Sequence, residues 1–207
     1  MSRFGAIFRE FMRAPSKIGA VAGSSSTLAN RMLDEVDWET AKNIVEYGPG
    51  TGAITRHIVS RLLPSQHFFA VELNDRFVPV LAQYCPSVKV RIGSVGDIRS
   101  ICDTEEVDNV DGIISGLPWT AFDEELQTEL LDAMFSVLSE HGQFTTFAYL
   151  RGLPLKSAKR FRSVLEERFD SVSVSPVVWR NLPPAIFYSC RRRAVCSTNL
   201  SFNTHNS

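Results

Sequence analysis

Two carboxylates and a run of glycines stand at the start of what this chain could do chemically. Glu46-Tyr47-Gly48-Pro49-Gly50-Thr51-Gly52 follows the apolar Ile44-Val45 and leads into Ala53-Ile54-Thr55-Arg56-His57-Ile58-Val59. That order predicts a buried strand, a tight turn and then a helix. Gly48, Gly50 and Gly52 admit backbone angles closed to other residues, so a ligand can lie against the main chain. The helix start beyond them offers unpaired N–H groups. The spacing is Gly-x-Gly-x-Gly, not the Gly-x-Gly-x-x-Gly of dinucleotide sites, and the Gly-Lys-Ser/Thr of a phosphate loop is absent. Glu72, with Leu73 after it, ends the next apolar run, where a ribose diol lies in a doubly wound sheet. Gly96-Asp97-Ile98 follows the third run and Ser115-Gly116-Leu117-Pro118-Trp119 ends the fourth. Ligands collect at such carboxyl ends of strands. The alternatives are a turn with no ligand for the glycines and a helix N-cap for Asp97.

The elements that must position these residues alternate in type. Strands are expected near Ile44–Glu46, Phe68–Glu72, Val88–Ile92, Val110–Ser115 and Gln143–Tyr149. Helices are expected near Ala53–Leu63, Arg76–Tyr84, Glu124–Leu138 and Ser157–Arg168. Short apolar strands alternating with helices predict a parallel sheet covered on both faces. Ser171–Trp179 and Ala185–Arg192 then read as a closing hairpin around Arg180-Asn181-Leu182-Pro183-Pro184. Two prolines cannot donate ladder hydrogen bonds, so that connection is a rigid loop, either shaping an entrance or merely turning the chain.

At 207 residues the chain is long enough for one well-buried core. A formal net charge of −1 exerts no global pull on nucleic acid, although it leaves room for a local basic patch. Four cysteines without a C-x-x-C pair or a histidine cluster argue for reduced thiols, with no metal site expected. The sequence shows neither a bilayer-spanning apolar run nor a secretory signal, and the expected location is cytoplasmic.

Ahead of the alternating region, Phe4, Ile7, Phe8, Phe11 and Met12 form one stripe at helical spacing, with Arg3, Arg9, Arg13 and Lys17 around it. Such a helix either lies in a membrane interface or packs on the core; the basic flank favours the membrane. Pro15 stops it, and Ser24-Ser25-Ser26 offers N-caps for a second helix from Thr27 to about Val36. The expected organisation is an N-terminal helical arm over 1–36, a domain over 37–193 and a polar, disordered tail over 194–207.

Val45-Glu46-Tyr47-Gly48-Pro49-Gly50-Thr51-Gly52, Gly96-Asp97, Ser115-Gly116-Leu117-Pro118-Trp119, Trp179-Arg180-Asn181-Leu182-Pro183-Pro184-Ala185 and Lys17–Ser25 together resemble the bacterial phospholipid and ornithine-lipid N-methyltransferases. The resemblance covers about residues 4–193. It departs at Tyr47, where leucine is usual. It implies an α/β fold: the class I methyltransferase, Rossmann-like, seven-stranded sheet with a closing antiparallel hairpin, preceded by an N-terminal amphipathic helix that docks on membrane. It implies S-adenosylmethionine (SAM) as cofactor, held by Glu46, Tyr47, Gly48, Pro49, Gly50, Thr51, Gly52, Glu72, Leu73, Gly96, Asp97, Ile98, Ser115 and Gly116. Asp97 then pairs with the adenine amino group and Ile98 packs on its ring.

In such a fold Leu117, Pro118, Trp119 and Tyr149 present the substrate amine to the methyl group. The face of Trp119, extended by Phe122 and Tyr149, would meet the methylated cation for roughly 1 kcal/mol or more, or else Trp119 packs the wall. The implied substrate is the amino head group of a membrane lipid, phosphatidylethanolamine or ornithine lipid, methylated once or successively by an enzyme peripheral on the inner membrane face. The rivals are a small-molecule amine and the related ribosomal RNA adenine methylation. The RNA enzymes carry Asn-Leu-Pro-Tyr where this chain has Gly116-Leu117-Pro118-Trp119, and they need a basic surface. Both departures count against RNA.

Overall fold

The computed structural model describes residues 25–192; the stripe from Arg3 to Arg13 and the tail from Ala194 lie outside them. Seven strands form one sheet: Asn43–Tyr47 (β1), His67–Glu72 (β2), Lys89–Ile92 (β3), Val110–Ser115 (β4), Leu138–Tyr149 (β5), Ser171–Val174 (β6) and Ala185–Arg191 (β7). Among the described residues six α-helices accompany them: Ser26–Leu33 (α1), Thr55–Val59 (α2), Val78–Tyr84 (α3), Ile98–Thr104 (α4), Glu124–Val137 (α5) and Lys156–Arg168 (α6). The strand order is β3-β2-β1-β4-β5-β7-β6. β7 alone runs against the others, pairing antiparallel with both β5 and β6.

This arrangement aligns the ends that matter. Tyr47 stands opposite Val71 on β2 and Ser115 on β4, and Ser115 stands opposite Thr146 on β5. The carboxyl ends of the parallel strands therefore share one edge. The order reverses between β1 and β4, and a crevice opens at such a switch point.

Alternation along β1 assigns its side chains to two cores. Val45 and Tyr47 join Ile98, Leu126, Leu130 and Phe161 on one face. Ile44 joins Leu28, Met32, Leu33, Ile54 and Ile58 on the other. α1 is thus built into the second core, its start fixed by Ser25, whose Oγ accepts from Leu28 N at 3.2 Å.

Most expected elements appear within a few residues of their anticipated bounds, and four differ, β5 by beginning at Leu138 instead of Gln143. α2 ends at Val59 instead of Leu63, shortly before Leu63-Pro64, where a residue preceding proline disfavours helix. α4 was not expected: only Ile98 and Cys102 of its seven residues are buried, too brief a pattern to register as periodicity. The long run to Trp179 is strand only as far as Val174. Pro176, which lacks an N–H, follows closely, and the chain rejoins β7 only at a Val178–Ala185 bridge.

Candidate active site

The glycine turn folds as the strand–turn–helix reading requires. Gly48, Gly50 and Gly52 have φ of +69°, +54° and +85°. At Gly50 an added Cβ would meet nothing within 4 Å, so its open face is free for a ligand. Gly116 answers a different demand, close approach. Its N–H donates to Tyr47 O at 2.8 Å, and a Cβ on it would lie 2.7 Å from Gly48 O. Leu117 fills the space above Gly48, where a Cβ would lie 2.7 Å from its Cδ2. The glycine turn and the Ser115–Pro118 turn are therefore interlocked.

Two acids lie beneath this pair. Glu72 is buried, yet its carboxylate is occupied: Oε2 accepts from Gly50 N at 3.0 Å and Oε1 from Asn74 N at 2.9 Å. Burial raises its proton affinity, and the amides of Asn74, Gly50 and Leu73 pull it back. Glu46 is 1% exposed, and neither of its carboxyl oxygens has a hydrogen-bond partner among the described residues. Burial above all, with the charge of Glu72 adding, pushes its pKa up to about 8. Thr55, itself buried with a hydroxyl unpartnered among the described residues, is not marked by any motif; its one signal is a hydroxyl residue in the first turn of the helix after the glycines.

A buried acid without a partner, a glycine face open to ligand and a second acid organising that glycine's amide suit a cationic amino acid joined to a nucleoside. Asp97 adds to the fit. It precedes α4 without capping it through its side chain and remains exposed, so the helix-cap alternative is not what its carboxylate does. Gly96 is fixed beside it, donating its N–H to Ser94 Oγ at 3.0 Å. Leu73 is half-buried next to Glu72, Pro49 is buried, and Thr51 is exposed at the tip of the turn.

Ile98 and Trp119 sit elsewhere than their expected roles demanded, and Tyr47 meets the turn through its main chain alone. Ile98 is wholly buried in the first core, so it offers no surface to an adenine ring. Tyr47 is wholly buried with its hydroxyl unpartnered among the described residues, and it reaches the turn only through its main-chain carbonyl. Trp119 is 1% exposed. Its ring stacks on Phe161 at 5.2 Å and stands edge-on to Phe122 and Phe144 at 5.9 and 5.7 Å. Its indole N–H donates to Ser115 Oγ at 2.9 Å. The cation-facing role expected for Trp119 is therefore replaced by the packing role, and Phe122 is buried with it. An aromatic network of this size holds the turn rigid.

Ser115 is likewise spent internally, its Oγ accepting also from Leu117 N at 3.2 Å and its carbonyl from Thr146 Oγ1 at 3.2 Å. Tyr149, half-buried at the end of β5, lies edge-on to Phe147 at 5.4 Å with the Arg151 guanidinium 6.0 Å from its ring. It belongs to the α1 side of the sheet. The site thus consists of main chain and three acids, Glu46, Glu72 and Asp97, on one edge, closed beneath by aromatic packing, with Tyr149 at its margin. Among the described residues no group of three or more His, Cys, Asp or Glu could hold a metal ion.

The fold has many counterparts of known structure. An O-methyltransferase from Bacillus cereus in complex with S-adenosylhomocysteine superposes with a TM-score of 0.65 at 15% identity, covering 89% of this chain and 90% of that one. The O-methyltransferase TomG from Streptomyces achromogenes, in complex with SAM, gives 0.65 at 15%, covering 90% and 89%. No family model matches the chain. In sequence, the ornithine lipid N-methyltransferase of Singulisphaera acidiphila is 30% identical over 196 residues, 92% of this chain and 97% of its own length. With that relationship running almost end to end, the chain belongs to the ornithine lipid N-methyltransferase family, SAM-dependent enzymes on the class I methyltransferase fold.

Proposed function

We propose that this enzyme N-methylates the amino head group of a membrane lipid, an ornithine lipid first and phosphatidylethanolamine second, in one or more successive transfers. The observation that carries the reading is the near end-to-end relationship to an ornithine-lipid enzyme. Position 116 supports it, because no side chain fits there. The asparagine that receives a purine amine in the related RNA enzymes has no room in this backbone, which leaves a main-chain turn open to a simple amine.

SAM supplies an electrophilic methyl group and leaves as S-adenosylhomocysteine. Gly50 and the turn around it would give the cofactor a main-chain bed, with Glu46 as a buried acid beneath its cationic amino end, and Asp97 and the Glu72 region would hold the nucleoside. The substrate nitrogen must arrive uncharged, since its lone pair forms the new N–C bond; each transfer releases one proton overall. The interlocked turn at Gly116-Leu117-Pro118 orients that nitrogen, and Tyr149 borders its approach. Orientation and exclusion of water supply the rate, which suits a site whose Ser115 hydroxyl and Trp119 indole are both engaged in holding the turn.

The test is transfer from radiolabelled SAM into mixed lipids containing ornithine lipid and phosphatidylethanolamine, resolved by thin-layer chromatography. Label in the ornithine-lipid band is expected. Label in neither band, with SAM still bound, rejects a lipid amine and turns attention to ribosomal RNA and small amines.

A further inference from the structure

The loop between β6 and β7 combines two properties. It is held firmly, and it exposes its largest apolar side chains. Val178 N donates to Ala185 O at 2.7 Å and Asn181 N to Val178 O at 3.1 Å. Asn181 is 1% exposed; its Oδ1 accepts from Ser25 N at 2.8 Å and its Nδ2 donates to Pro183 O at 2.7 Å. On this fixed backbone Trp179 is 69% exposed and Leu182 71%, the two highest values among the exposed large apolar residues described. Arg180 between them is exposed and has no ion-pair partner among the described residues.

The loop's place in the fold gives this meaning. Leu150 N donates to Pro184 O at 2.9 Å, and Tyr149 pairs with Ala185. The loop therefore stands at the carboxyl end of β5, on the edge that carries the glycine turn. Arg151, exposed in the turn after β5, adds a second positive charge there.

We propose that Trp179 and Leu182 enter the interfacial layer of a lipid bilayer, with Arg180 and Arg151 among anionic head groups, and so seat the mouth of the site on the membrane. The proposal rests on the lipid-substrate reading and is separate from any role of residues 1–24. Tryptophan suits this layer because its ring is apolar and its N–H is polar. Basic residues beside it match the negative surface of such a leaflet. A protein partner is the weaker occupant, since two apolar tips fall far short of the roughly 20–30 residues a side of a stable interface. A substrate whose acyl chains stay in the bilayer also requires the mouth to face it.

The experiment uses the full chain carrying Trp38→Phe. That removes an indole lying before β1, at the other end of the sheet, while Trp119 stays shielded in the core. Vesicles of phosphatidylglycerol and phosphatidylcholine with brominated acyl chains should quench the fluorescence of Trp179, and Trp179→Phe should abolish that quenching. Trp179→Ser with Leu182→Ser should weaken vesicle co-sedimentation by about tenfold or more. Vesicle binding without quenching overturns the proposal and assigns docking to residues 1–24, either alone or by covering the loop. Absence of vesicle binding overturns it too. Methyl transfer to detergent-dispersed ornithine lipid, measured on the same preparations, judges the substrate reading separately: quenching without transfer sinks the substrate and keeps the loop.

Discussion

Asn181 and Ser25, 156 positions apart, are joined by a hydrogen bond of 2.8 Å from the backbone N–H of Ser25 to the side-chain oxygen of Asn181. The bond ties the start of α1 to the β6–β7 loop, and the other end of the same amide holds Pro183 O. Asn181→Ala removes both links and leaves the half-buried Ser25 N–H without its partner. A loss of about 1–3 kcal/mol is expected, read as a lower urea midpoint. An unchanged midpoint would make the amide a bystander.

Glu46 gives stability a pH dependence whose direction can be derived. Its ordinary pKa of 4.5 rises to about 8 in the folded protein. Below 4.5 both folded and unfolded forms carry the proton and the residue has no effect on their balance. Between 4.5 and 8 the unfolded chain releases the proton while the folded one keeps it, so stability falls as pH rises across that window. The slope is about 1.4 kcal/mol per pH unit for one proton. Denaturant titrations of the cofactor-free protein should show this decline, and Glu46→Gln should flatten it. Equal slopes in the two proteins would place the titration elsewhere.

Gly116→Ala tests the interlock between the two turns. The new methyl would lie 2.7 Å from Gly48 O, main chain that cannot rotate away. The expected result is about 1–3 kcal/mol of overpacking and a weaker SAM titration together. Wild-type values for both would show that the turns are not in contact as described. Gly116→Asn should suffer the same loss and gain no activity on RNA.

At Gly50 the expectation is reversed, with little structural cost and a large cost in binding. An added side chain meets no atom within 4 Å, although φ of +54° strains any L-residue there by about 1–2 kcal/mol. Gly50→Arg should melt only slightly below wild type while its affinity for SAM falls at least about tenfold, roughly 1.4 kcal/mol. An undisturbed titration by calorimetry would remove this face from the cofactor site.

Trp119→Phe separates packing from cation recognition. The variant keeps an aromatic ring beside Phe161 but loses the 2.9 Å bond to Ser115. A drop of about 1 kcal/mol in stability is expected, with an unchanged ratio of singly to multiply methylated product. A changed product ratio at unchanged stability would return the indole to the substrate.

The sequence made the sheet and its acids legible because local chemistry determines them. Glycines at positive φ, β-branched runs and a hydroxyl cap announce themselves whatever surrounds them. It was less informative about which way a side chain faces. Trp119 and Ile98 lie in motifs at a ligand edge, and burial against Phe161 or Leu130 depends on helices far along the chain. Asn181 stands in a legible loop motif, but its partner Ser25 is determined only by tertiary packing. The helix Ile98–Thr104 escaped because two buried residues make no period.

The contact of Gly116 with Gly48 O and of Leu117 with the space above Gly48 bears on engineering and on descent. Neither turn is a portable module. Residues 46–52 transplanted onto another sheet would arrive without the leucine that fills their concave side, and a new substrate turn of ordinary composition would collide with the old glycines. Changes of substrate in this scaffold must therefore keep the backbone path from 116 to 118, and variation is channelled to the rim, to Tyr149 and the exposed tips of the β6–β7 loop on either side of the buried Asn181.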